Sequence, residues 1–282
     1  GGVPTGSTAF SGYLSAGEAL DRNSAPMDGD RYMWIAPKFQ TPIVDALKGL
    51  FQSTEQIKKQ YLRGRMGTAA GFEWLLAQNI RTHTLGQVTG GSPVVDGANQ
   101  TGSVLNIRGL TANSPAYKAG DIITQAAVFA VNTVSGDTLS DLRQFTILND
   151  ANTDSSGKAS LNIYPPMAVI GDPQKPNPYA TCSQLIADNA ALVLFGTAST
   201  STVPSLSPQA MAFHKDAFSF ACVPMVLPRS TEKAARQTDP KTGVSIRIVE
   251  VYDGINDLFF YRCETMFGFV APRKDWACRI AG

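Results

Sequence analysis

The chain has 282 residues, 43% of them hydrophobic and only 17% charged, with 24 Lys and Arg against 23 Asp and Glu for a net charge of +1. That length fits one large domain or two modest ones and buries a core without disulfide or metal staples. The composition excludes a disordered tail, no apolar run reaches the ~20 residues of a membrane-spanning helix, and the charge balance argues against a strongly basic nucleic-acid binder. A surface this poor in charge is one that something else covers, and self-association is the simplest candidate.

Residues 11–23 read as a short helix, with Ser15 and Glu18 at capping-box spacing and Ala16, Ala19 and Leu20 following Tyr13 and Leu14. Asn23 to Asp30 is a turn cluster, and Tyr32–Ile35 a short buried strand. Thr41-Pro42 predicts a helix start, after which Ile43, Ala46, Leu47, Leu50 and Phe51 share one face. Ser53 with Gln56 predicts a further short helix through Leu62. Gly64, Gly67 and Gly71 punctuate the next stretch and predict tight backbone turns, where a β-carbon would oppose the conformation. Phe72, Trp74 and Leu76 then alternate as on a strand with one buried face.

From residue 86 to 103 the chain is rich in Gly, Ser, Thr and Asn, as a linker would be. A β-rich module follows, with strands expected at Val104–Arg108, Ile122–Val131, Arg143–Leu148, Ala159–Tyr164 and Leu192–Phe195. Its turn signals are Ser135-Gly136-Asp137 and Asp154-Ser155-Ser156-Gly157. The five prolines of residues 165–178 predict an irregular loop, and residues 196–208 are of low complexity. Arg229, Lys233 and Arg236 read as a mobile charged loop. Val244, Ile246 and Ile248 alternate on a strand, and Asp257 to Val270 is a long extended run, apolar on both faces. Such a strand must be covered twice, by its own chain or by a neighbour. Helices early and strands late make the class α+β.

Chemistry is sparse. There is no Walker loop, GxGxxG, HExxH or GxSxG. Only two histidines exist, His83 and His214. His214 with Asp216 is the one conceivable base pair, and a hydrogen-bonded structural histidine at a strand end is the simpler reading. Asp150, Asn152 and Asp154 match three positions of a calcium loop, but Ser155 replaces the glycine and Leu161 the bidentate glutamate, so a polar hairpin turn is favoured. Cys182, Cys222, Cys263 and Cys278 have no zinc spacing and are expected as reduced thiols. No cofactor and no metal are implied. Lys58, Lys59, Arg63 and Arg65 form a small basic cluster, of which Lys58, Arg63 and Arg65 are candidate intersubunit contacts.

Several blocks resemble tailed-phage major capsid proteins. They are Tyr13-Leu14-Ser15-Ala16 with Asn23-Ser24-Ala25-Pro26, the run Arg63 to Glu73, Ala119-Gly120-Asp121 through Val128 to Asn132, Leu142 to Phe145, Met211 to Phe218, Gly243 to Arg247, and Tyr252-Asp253. As an ordered set they are similar to the P-twenty-two-like coat protein family of short-tailed phages. The resemblance implies a Hong Kong 97-type capsid fold. Residues 1–95 would be the first part of an axial (A) domain, 96–205 a β-rich insertion domain, and 206–282 the completion of the A-domain and the return to the peripheral (P) domain sheet. The family's N-terminal arm, extended loop and spine helix have no matching segment in this sequence, so on the resemblance residue 1 would lie after the spine helix, unless the protein departs from the family fold.

It further implies a non-enzymatic virion protein, assembled in the host cytoplasm into pentamers and hexamers of an icosahedral head around double-stranded DNA, without sequence-specific binding and without a membrane. Its partners would be copies of itself, with scaffolding, portal and decoration proteins as further candidates. From other classes, a secreted or surface β-rich binding module would pair the four cysteines in disulfides, and a hydrolase would depend on His214 and Asp216.

Overall fold

The computed structural model describes residues 9–46, 67–86, 88, 91–132, 134–172, 175–195, 206–229 and 233–281. Leu47, Leu50 and Phe51, the helix expected from Ser53 to Leu62, the basic cluster with Lys58, Arg63 and Arg65, Gly64, and residues 196–205 lie outside these. Among the described residues two α-helices accompany many short strands, so the fold is mostly β rather than evenly α+β. In chain order they are α1 (Ala9–Arg22), β1 (Arg31–Ile35), α2 (Pro37–Ala46), β2 (Thr68–Ala69), β3 (Phe72–Leu76), β4 (His83–Thr84), β5 (Val94–Val95), β6 (Gly102–Arg108), β7 (Pro115–Tyr117), β8 (Ile122–Gln125), β9 (Phe129–Val131) and β10 (Thr138–Leu142). Then come β11 (Phe145–Ile147), β12 (Ala151–Asn152), β13 (Ala159–Met167), β14 (Gly171–Asp172), β15 (Lys175–Pro176), β16 (Leu192–Leu194), β17 (Leu206–Ser207), β18 (Gln209–His214), β19 (Ser219–Cys222), β20 (Lys233–Thr238), β21 (Ser245–Asp253), β22 (Leu258–Glu264), β23 (Phe267–Val270) and β24 (Ala277–Ala281). They form two compact units, one of Gly1–His214 with Ala277–Gly282 and one of Lys215–Trp276.

The first unit holds a five-stranded sheet of order β2-β3-β1-β18-β24, in which only β1 and β3 run parallel. Helix α1 covers it through Tyr13, Ala16 and Leu20, spaced to fall on one helix face. The Tyr13 ring meets Phe39 and Trp74 edge-on at 6.5 and 5.2 Å between centroids. Ser15 is not the cap the sequence predicts. The helix begins six residues earlier, and the Ser15 hydroxyl donates back to the Ser11 carbonyl at 3.0 Å. The helix stops in a Schellman arrangement: Ala25 N–H donates to Leu20 O, Ser24 N–H to Asp21 O, and Ser24 takes a left-handed φ of 57°.

Helix α2 likewise starts a turn before Thr41-Pro42. Pro37 takes its first position, and Pro42 sits inside, denying the exposed Lys38 carbonyl its intrahelical amide. Between β2 and β3 a two-residue hairpin puts Ala70 and Gly71 at φ of 54° and 77°, the signs of a type I′ turn. Gly67 also has a positive φ, of 65°. Phe72 and Trp74 are buried on β3, but Leu76 at its end is exposed.

The same unit holds an antiparallel barrel of order β16-β8-β11-β13-β6-β5. It closes on itself: Val94 bridges Ala191, Val95 N–H donates to Ala190 O at 3.1 Å, and Leu192 N–H to Pro93 O at 3.0 Å. Closure leaves no unpaired sheet edge around the ring. Alternate residues fill it, Leu105 and Ile107, Phe145 and Ile147, Leu161 and Ile163, all essentially without solvent exposure.

Three expectations change here. The stretch expected as a linker carries β5, and its Val95 is fully buried. The run Ile122–Val131 breaks at Ala127, whose φ is 72°, into β8 and β9. The proline-rich segment is partly strand: β13 passes through Pro165 and Pro166, where its pairing to β6 jumps register, and β14 pairs with β15. Proline sits there because the missing N–H falls where the ladder is already interrupted. Chain entry and exit pair as a short neck, β4 with β17.

Candidate interaction surface

The second unit pairs β20, β21 and β22 in one antiparallel sheet and β19 with β23 in a second. Lys233 and Arg236, expected in a charged loop, instead stand in β20, and Arg236 donates to Met225 O at 3.1 Å. The extended run from Asp257 to Val270 divides at Thr265-Met266 into β22 and β23, because the two strands join different partners.

Register fixes what each face carries. Ile248 pairs with Cys263, Glu250 with Tyr261 and Tyr252 with Phe259, so these side chains share one face with Ile246. All the large apolar members of that face are exposed, from 43% at Ile246 to 71% at Tyr261. Tyr252 and Phe259 stack obliquely with centroids 5.0 Å apart. The Tyr252 hydroxyl donates to Asp257 at 2.8 Å, which raises its pKa.

The opposite face buries Val249 and Ser245 at one end, beside the ion pair of Arg247 with Glu264. Hydrogen bonding from Arg247 holds the Glu264 carboxyl below the usual range. At its other end Val251, Leu258 and Phe260 are exposed. On the second sheet Phe220, Phe267 and Phe269 share a face, with Phe220 and Phe267 stacked at 6.0 Å, and all three are exposed. Exposed apolar side chains gathered on one sheet face are of the kind found at protein, membrane or ligand contacts. The sequence points to the two-faced run after Asp257. It does not show that Ile246 and Ile248 join the same face, because that depends on the pairing of β21 with β22.

His214 ends β18 fully buried, with Nε2 3.1 Å from a carboxylate oxygen of Asp28, and Asp216 lies in a short 3-10 helix in the second unit. Asp28 is held below its ordinary range first by the Asp30 amide, and the His214 contact adds to this. Asp150 accepts from Lys118 Nζ at 2.6 Å and the Ala119 amide at 2.9 Å. Asp154 accepts from the amides of Ser156 and Lys158, closing a polar hairpin turn. Among the described residues no group of three or more His, Cys, Asp or Glu is placed to hold a metal. All four thiols are free, Cys182 being buried and Cys263 exposed. No helix among the described residues is long and apolar enough to cross a membrane.

Comparison with known proteins adds the identity. No curated protein matches the chain significantly. Among solved structures the CUS-3 coat protein I-domain is similar to 39% of this chain, over 99% of its own length, at 18% identity and a TM-score of 0.28. The family model of the P22 coat protein, gene protein 5, matches residues 2–276. That match spans nearly the whole chain, which therefore belongs to the P22 coat protein family.

Proposed function

We propose that this chain is a non-enzymatic major capsid subunit that self-assembles into pentamers and hexamers of an icosahedral head enclosing double-stranded DNA. The observation that carries the reading is the second unit, whose paired strands present Ile246, Ile248, Tyr252, Phe259 and Tyr261 to solvent in the single chain. Family membership supports a structural role. At ~25 cal/mol per Å2, covering such aromatic strands gives each contact a modest favourable free energy, and a closed shell multiplies it. The near-neutral charge suits an enclosing wall, since a strongly basic lining would hold packaged DNA.

On this reading the fold is of the Hong Kong 97 type. Residues 1–95 are the first part of the A-domain, 96–205 the insertion domain that carries most of the barrel, and 206–282 complete the A-domain and return to the P-domain sheet. Lys58, Arg63 and Arg65 remain candidate contacts between subunits, and Gly64, Gly67 and Gly71 candidate structural turns. Assembly takes place in the host cytoplasm, with scaffolding, portal and decoration proteins as further partners. Velocity sedimentation of the purified chain over a hundredfold concentration range tests the central part. Growth into large closed particles is expected, and a monomer at every concentration overturns it.

A further inference from the structure

Ala119-Gly120-Asp121 enters the sequence reading only through its resemblance, yet the fold gives this turn a distinct position. Asp121 is fully buried just ahead of β8. Its Oδ1 lies 2.8 Å from Nε2 of His83 on the neck strand β4. Its Oδ2 accepts from the amide of Gly86, two residues beyond β4 of the neck, at 3.1 Å and from Lys118 N–H at 2.8 Å. From the five-stranded sheet, Arg279 on β24 donates Nη2 to the Gly120 carbonyl at 2.5 Å. Burial lowers the Arg279 pKa, and the Asp121 charge acts against that.

The turn itself is fixed to the barrel wall. Gly120 N–H donates to Ile147 O at 2.7 Å, and Ile147 N–H to Asp121 O at 2.8 Å. Space at the joint is tight. A β-carbon on Gly86 would come within 2.5 Å of Ala116 O and 2.7 Å of Asp121 Oδ2, and one on Gly120 within 3.2 Å of the His83 ring.

We propose that the Lys118–Asp121 turn is a latch that holds the barrel in one orientation on the five-stranded sheet, with His83 and Arg279 as its positioning residues. A neck of two short paired strands would by itself let the barrel swing. A buried carboxylate shared between the barrel and the neck, with a guanidinium from the sheet on the adjacent carbonyl, removes that freedom. The group is costly to bury without its partners, so the latched pose is strongly preferred once the joint is dry. This inference does not depend on the capsid reading.

Hydrogen exchange on the full chain tests it. In His83→Ala and in Arg279→Met, the amides of Thr84 and Gly86 are expected to exchange at least tenfold faster. The barrel amides of Ile107, Leu161 and Ile163 stay within twofold. His83→Gln, which keeps a side-chain N–H donor, is expected to restore the neck to within threefold, and Gly86→Ala to loosen it by a steric route. Two results overturn the proposal: neck exchange within twofold of the native chain in all of these variants, or barrel and neck losing protection in parallel. If His83→Ala does not fold, His83→Gln and Gly86→Ala decide by the same criteria.

Discussion

The barrel and the strands of residues 215–276 are both antiparallel β, built from similar numbers of apolar side chains, and they bury them in opposite ways. The barrel closes its hydrogen-bond ring and turns one apolar parity inward, so Leu105, Ile107, Ile123, Phe145, Ile147, Leu161 and Ile163 are almost wholly hidden. The second unit leaves its sheets open and carries apolar residues on both parities, so Val249 is nearly alone in being buried. Alternation yields a self-sufficient core, and its absence yields a surface that needs a partner.

The largest expected effect comes from the barrel. Leu161→Ala leaves a cavity in a closed core and is expected to cost about 2–5 kcal/mol, read from denaturant unfolding. Phe259→Ser or Tyr261→Ser in the second unit is expected to change the single chain's stability by no more than about 0.5 kcal/mol, while raising the concentration needed for assembly. A loss at Phe259 as large as that at Leu161 would erase the distinction between the two regions.

Next in size is Gly157→Ala. Gly157 closes the Asp154 hairpin turn at φ 72°, and a β-carbon there would sit 2.1 Å from the Leu110 carbonyl. The expected cost exceeds about 1 kcal/mol, visible as a lowered melting temperature, because a backbone oxygen has to move. Native-state exchange sharpens the same contrast without mutation. Amides of β6, β11 and β13 are expected to exchange only by global unfolding, and those of β22 and β23 by local opening in the unassembled chain. Equal protection in both would contradict the account.

The smallest expected effect is of pH. Lys158 and Arg108 hold the Asp96 carboxyl below its ordinary range, the Ala119 amide and Lys118 do so for Asp150, and the Lys158 and Ser156 amides for Asp154. A carboxyl whose pKa is lower when folded stabilises the fold above its unfolded pKa and loses that contribution as pH falls through the folded one. The barrel's melting temperature is therefore expected to be level near neutrality and to fall below about pH 4. Asp96→Asn should lower the neutral-pH value slightly and flatten the decline.

Local signals in the sequence read well wherever the physics is local. The helix around Tyr13 and Leu20, the strand at Tyr32–Ile35, the inward parity of Leu105 to Ile163 and the turns at Gly136 and Gly157 all follow from spacing and glycine. Ser15 and Pro42 mislead because a good capping residue is also tolerated inside a helix when its side chain bonds back or its missing amide faces solvent. The Gly/Ser-rich stretch hides β5 because two residues, Val94 and Val95, suffice to close a barrel that other strands have already built. The exposed face of the second unit is half legible. Its two-sided run announces itself, while the contribution of Ile246 and Ile248 exists only through cross-strand register. Nothing local marks the Gly120-Asp121 turn, whose partners are His83, 38 residues from Asp121, and Arg279, 159 residues from Gly120.

Electron microscopy of the native particles that contain this chain tests the central claim most directly. The account predicts uniform icosahedral shells in which the face formed by Ile246, Ile248, Tyr252, Phe259 and Tyr261 is covered by protein. Absence of shells, or shells in which that face lies bare to solvent, would contradict it.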